Sequence, residues 1–201
     1  MYLTDLVPKC EVCYGDIIIE MLDESGVAKM DSLEVYSYYY GTGEIDDGWY
    51  NDETELIGTD IPDVFFPVGQ GFWVTGVDGT TWCTSGEVFD ADKSIPLADN
   101  KQMLANPYPT SIFLARDIAI DCDVCYGDVI IEMLDESGVA KMDSLEVYSY
   151  YYGTGEIDDG WYNDETELIG TDIDDVEVPA GTGLWVTGVD GTSFQITSPL
   201  K

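Results

Sequence analysis

The sequence predicts an all-β protein of two tandem related units, each sandwich-like or barrel-like. Three observations carry that prediction. One block of about 112 residues occurs nearly twice. Short runs of β-branched and aromatic residues recur between Gly, Asp and Ser turn signals. No segment shows a helical period with caps.

The repeat comes first. Residues 13–61 recur as residues 125–173 with one change, Ile17 against Val129. The match continues more loosely on both sides. Cys10 aligns with Cys122, the run Pro67 to Val74 with Pro179 to Val186, and Trp82 with Phe194. Loops are repeated as faithfully as strands, although loops ordinarily drift. A recent duplication accounts for this, as does selection for equivalent surfaces.

Within each copy the strands read in order. Asp16 to Leu22 is apolar on both faces, as in a central strand. Leu33 to Tyr40 is β-branched and aromatic, with Tyr36, Tyr38 and Tyr40 on one face. Phe65-Phe66, Gly71 to Gly76 and Thr80 to Thr84 are shorter candidates. Asp23 to Gly26, Gly41 to Gly43, Asp46 to Gly48 and Asp78-Gly79 separate them as turns.

The two copies are cut differently. Met1 aligns with Phe113, so the first copy has no counterpart of residues 85–112. That stretch holds further strand-like runs, including Ser94 to Leu97 and Gln102 to Ala105. The expected units are therefore 1–84, lacking its initial strands, and 85–201, complete. A β unit short of strands exposes edges that close on the other copy or accept a strand from a neighbour. Repeated head to tail, such a contact does not close and builds a filament.

Composition excludes several functions. Seven basic residues face 41 acidic ones, a formal net charge of −34. Nucleic acid is repelled, because binding it needs Lys and Arg to displace counterions, and anionic membranes are disfavoured likewise. No run of 18 apolar residues is present, so no membrane insertion by a helix is expected. The opening Met1 to Asp5 lacks the basic and apolar regions of a signal peptide, so an export signal is expected outside these residues. Histidine is absent, which removes the usual general base and the Ser-His-Asp and Cys-His arrangements. With 41 acids, carboxylate pairs at glycosidase spacing arise by chance. An enzyme is not expected.

Three groups remain as site candidates. Cys10-Glu11-Val12-Cys13 and Cys122-Asp123-Val124-Cys125 are CxxC pairs. They read as local or cross-linking disulfides outside the cell, as reduced structural cysteines, or as halves of a metal site. Cys83 makes the count odd. The acidic loop carrying Asp46, Asp47, Asn51 and Asp52, repeated as Asp158, Asp159, Asn163 and Asp164, gathers oxygen ligands around a glycine turn. It suits Ca²⁺ without EF-hand spacing, and bound calcium would also relieve the charge. Its alternative is a solvated turn. Tyr38, Tyr40, Trp49 and Trp161 are the aromatics expected at a subunit interface, in the core or against glycans.

Asn106-Pro107-Tyr108-Pro109-Thr110, the Gly160-Trp161-Tyr162 turn and the run Pro179 to Val186 together resemble β repeats of large secreted bacterial surface proteins. The resemblance implies an extracellular location and a structural or adhesive role, and carries no catalytic residues. The expectation from these readings is a self-assembling subunit of an extracellular filament or surface layer, a homo-polymer joined through β-edges. The alternative is a tandem adhesin or carbohydrate-binding module.

Overall fold

The computed structural model describes residues 1–22, 33–51, 53–82, 88–99, 101–134 and 145–201. The described residues are nearly all β and divide into two compact units, one within residues 1–87 and one within 88–201.

Unit 1 opens with a 3₁₀ turn, Leu3–Asp5. Its strands are β1 (Pro8–Lys9), β2 (Cys13–Leu22), β3 (Leu33–Tyr40), β4 (Gly48–Asn51), β5 (Trp73–Thr75) and β6 (Thr81–Trp82). Four of them form an antiparallel sheet in the order β4-β3-β2-β5, while β1 pairs with β6. Alternation decides the faces: Ile17, Ile19 and Met21 of β2 and Tyr36 and Tyr38 of β3 point inward. They pack with Leu3, Leu6, Trp49, Ile57 and Phe66.

Strand β2 starts earlier than its apolar run suggests, because a bulge at Gly15-Asp16 interrupts its register against β3 between Tyr14 and Ile17. Gly15 has φ +82°, and a Cβ there would stand 2.6 Å from the Tyr39 hydroxyl. Only glycine fits both conditions.

Unit 2 contains β7 (Lys93–Pro96), β8 (Lys101–Ala105), β9 (Ile112–Phe113), the single helical turn α1 (Leu114–Asp117) and β10 (Ile118–Asp121). Then come β11 (Cys125–Leu134), β12 (Leu145–Tyr152), β13 (Gly160–Asn163), β14 (Glu177–Val178), β15 (Gly183–Thr187) and β16 (Ser193–Ile196). A five-stranded sheet runs β13-β12-β11-β15-β8, a three-stranded sheet β10-β16-β7, and β14 pairs with β9. None of the described sheets closes into a barrel. The core takes Leu104, Ile131, Tyr148, Leu184 and Val186 from the large sheet and Ile118, Ile120, Phe194 and Ile196 from the small one. That is a sandwich with two inner faces.

One alignment shifts. Leu3 N donates to Val64 O at 2.8 Å, and Leu114 N donates to Val176 O at 2.9 Å. Val64 and Val176 are repeat partners, so Leu3 corresponds to Leu114 and Met1 to Ile112, one residue from the register expected at Phe113. The cause is local. Unit 1 turns the corner with three residues of tight 3₁₀ helix, unit 2 with four residues of α-helix. The spacing of 112 is restored at once: the Trp49 indole donates to Leu6 O at 2.7 Å, and the Trp161 indole to Ile118 O at 2.9 Å.

Candidate functional site

Each unit builds the same sheet pattern, but the borders of the two sheets differ. In unit 2, β15 lies between β11 and β8, with Val186 opposite Gln102 and Trp185 opposite Met103. In unit 1 the equivalent β5 ends its sheet: among the described residues its one neighbouring strand is β2. Burial follows. Val186 is 0% exposed, whereas its repeat partner Val74 is 43% exposed. Elsewhere in unit 1, Phe65 and Tyr2 form an isolated bridge, both exposed and in tilted ring contact at 5.2 Å. Unit 2 has Glu177 in place of Phe65, and it accepts a hydrogen bond from the Ser111 hydroxyl at 2.5 Å. Unit 1 therefore presents apolar surface and a strand end where unit 2 is covered or polar.

What covers β15 is held by specific chemistry. Lys101 makes an ion pair with Glu132 and lies over the Trp185 ring, 5.4 Å from its centroid. Asn106, 4% exposed, donates from its amide to Thr110 O, Val178 O and Pro179 O at 2.9, 3.0 and 3.1 Å. Its Oδ1 accepts from Tyr108 N at 3.0 Å. The Tyr108 hydroxyl reaches Ala91 O at 2.8 Å, and its ring packs on Phe89. The Asn-Pro-Tyr-Pro element is thus a staple that ties the end of β8 to the turn before β15. The sequence marked it as a motif without indicating this role.

The acidic loops are built as turns. Asp47 accepts from Gly41 N at 2.7 Å and Asp159 from Gly153 N at 2.7 Å. Asn51 Oδ1 accepts from Glu53 N and Glu55 N, both at 3.1 Å; Asn163 accepts from Glu165 N and Glu167 N at 3.0 and 3.1 Å. Asp46 and Asp158 offer their carbonyls to the Tyr50 and Tyr162 hydroxyls, and Asp164 is exposed. Asp52 lies outside the described residues. Among the described residues no three or more Cys, Asp and Glu side chains converge as metal ligands.

Both CxxC pairs are at disulfide distance, Cys10 with Cys13 and Cys122 with Cys125, with Cα separations of 6.2 and 6.3 Å. Each joins the approach to the long central strand to that strand's first residue. Cys83 lies outside the described residues.

The candidate aromatics separate by burial. Trp49 and Trp161 are core residues whose rings tilt against Tyr38 and Tyr150 at 5.1 and 4.9 Å. Tyr38 is buried as well, and Tyr40 is the exposed member of the set. Burial, with Asp47 next, raises the Tyr38 pKa above the ordinary phenol value. Burial followed by the hydrogen bond to Glu146 raises that of Tyr148 further. Unit 2 also has a cleft of about 680 Å³ lined by Arg116, Tyr152, Asp159, Asp172, Asp174 and Asp175. Comparison of the chain with protein-family models, with curated proteins and with solved structures finds no match.

Proposed function

We propose that this chain is a structural, self-assembling subunit of an extracellular filament or surface layer, in which β-edges of neighbouring subunits complement one another. The observation that supports it most is the contrast between β5 and β15. Nearly identical strands end a sheet in unit 1 and sit inside one in unit 2. An edge strand with exposed apolar side chains is a template for another strand, and native monomers ordinarily blunt such edges with charge, proline or a bulge. Val74, exposed on β5, does not blunt this one. The paired cysteines suit an oxidising compartment, and no described helix is long and apolar enough to cross a membrane.

The net charge opposes contact between copies. The reading therefore calls on salt or calcium to screen it, calcium being suited to clustered carboxylates. Electron microscopy of the purified protein, with calcium and with EDTA, tests the proposal. Ordered particles that grow with concentration are expected. Strict monomers at high concentration in both conditions would overturn it.

The second reading, a carbohydrate-binding or adhesive module, draws on the acidic cleft of unit 2. It predicts glycan-array binding that Tyr152→Ala abolishes, and a blank array would remove it.

A further inference from the structure

We infer that the cleft of unit 2 is a binding site for a neutral glycan, present once per chain, with Arg116 as its specificity-determining donor. The inference rests on the second reading above and names the ligand class and the residues that set it.

The near-identity of the units supplies the comparison. The corner reads Leu3-Thr4-Asp5-Leu6 in unit 1 and Leu114-Ala115-Arg116-Asp117-Ile118 in unit 2. Thr4 N donates to Asp63 Oδ1, and Ala115 N to Asp175 Oδ1. Asp5 accepts from Tyr2 N, and Asp117 from Phe113 N, both at 2.8 Å. The residue inserted between these matched pairs is Arg116, the one arginine of the chain.

Three further changes fall around it. The Thr4 hydroxyl donates to Asp63 Oδ2; Ala115 has no hydroxyl, so Asp175 lacks that partner. Val7 becomes Ala119, and Pro62 becomes Asp174. Ala115, Arg116, Ala119, Asp174 and Asp175 all line the cleft. The changes remove bulk and add hydrogen-bonding groups at one place, and unit 1 folds without them.

The donor is held in place. Arg116 makes two bonds to the buried Asp117, from Nε at 2.9 Å and Nη2 at 2.8 Å. Its guanidinium carbon lies 4.3 Å from the centroid of the Phe113 ring. The remaining N–H groups are left for a ligand. Beneath, Tyr150 and Trp161 are buried, and the Trp161 indole is engaged by Ile118 O. Tyr152 lines the same cleft and is exposed.

Chemistry selects the ligand. Arg116 and Thr171 offer donors, Asp172, Asp174 and Asp175 offer acceptors, and Tyr152 offers a ring face. A pyranose answers all three. Its hydroxyls donate to carboxylates and accept from a guanidinium, and its C–H face stacks on an aromatic ring. The inserted arginine works against a cationic ligand, and the net charge of −34 against an anionic one. The volume of about 680 Å³ falls within the roughly 300–1,000 Å³ of small-molecule sites.

The test probes the full chain on an array of neutral glucan, mannan and galactan oligosaccharides, uronate-bearing oligosaccharides and chitosan oligomers. The best-bound oligosaccharide is then titrated by calorimetry. One neutral ligand per chain is expected, with affinity unchanged at about 0.5 M sodium chloride, where attraction between charges is screened. Arg116→Gln should weaken binding roughly tenfold through the lost charged donor. The paired substitution Ala119→Val with Asp174→Pro installs what unit 1 already carries. It should abolish binding and leave the melting temperature unchanged. Tyr40→Ala, at the unit 1 position equivalent to Tyr152, should bind as the native chain does. Preference for uronate or chitosan, or two ligands per chain, would overturn the inference. Glycan binding that survives both Arg116→Gln and the paired substitution would overturn it too, while leaving the carbohydrate reading to another surface. A blank array would remove that reading and the inference with it.

Discussion

Gly127 sits at φ +82°, and a Cβ there would lie 2.6 Å from the Tyr151 hydroxyl, as at Gly15 in the other unit. Gly127→Ala must therefore adopt a left-handed backbone and displace a tyrosine ring. A loss of about 1–3 kcal/mol in unfolding free energy is expected, measured by urea denaturation. Asn106 is a second sensitive residue. Replacing it with alanine leaves three carbonyls and the Tyr108 N–H without their side-chain partner. Groups orphaned on burial cost about 1–3 kcal/mol each, so Asn106→Ala should selectively loosen unit 2. The tyrosines set the alkaline limit. Tyr38, Tyr50, Tyr108, Tyr148, Tyr150 and Tyr162 all have pKa values raised chiefly by burial. A folded-state pKa above the unfolded value means that the native state holds its protons longer. That stability is complete below pH 10, the ordinary phenol value, and is lost as pH rises through the folded values. Melting temperature should fall steeply above pH 10, with phenolate absorbance rising together with the loss of circular dichroism. A titration of all phenols without unfolding would contradict the burial of these side chains.

At the scale of elements, β5 and β15 are a built-in comparison. Their sequences differ at Phe72 against Leu184 just before the shared Trp-Val-Thr, so a difference in protection reports the neighbouring strand rather than the residues. Amides of 71–75 should exchange with deuterium far faster than those of 183–187; equal protection would mean that β5 is already covered. The disulfides close very short loops, so reduction should cost only about 2 kcal/mol each. Much of this level was legible in the sequence. Apolar, β-branched and aromatic runs between turn residues marked β2, β3, β11, β12 and the all-β class, because those signals are local. The Gly15 bulge was hidden, since its cause is Tyr39 on the adjacent strand. The single α1 turn was hidden because four residues carry no period. Trp49 and Trp161 could not be assigned to core or surface from sequence. Their burial depends on long-range bonds to Leu6 and Ile118.

At the scale of the whole molecule, the chain combines a β-edge suited to association with a charge that resists it. With 41 acids against seven bases, like-charge repulsion acts over roughly 10 Å at 0.1 M salt and about 3 Å at 1 M. Both stability and association should therefore rise with ionic strength; melting and light scattering across a sodium chloride series check this. A flat response would mean that the charges are already compensated. Among the described residues β5 has β2 alone beside it, in keeping with the repeat, where residues near 85–112 find no match within 1–84. What sequence could not supply was the contact chemistry of β8 on β15, which only the folded unit 2 displays. Sedimentation velocity of the protein and of Val74→Pro, over a concentration series at high salt, tests the central claim most directly. The native chain should associate with rising concentration, and the variant should remain monomeric with unit 2 intact. A native chain that stays monomeric, or association that the proline leaves unchanged, would contradict it.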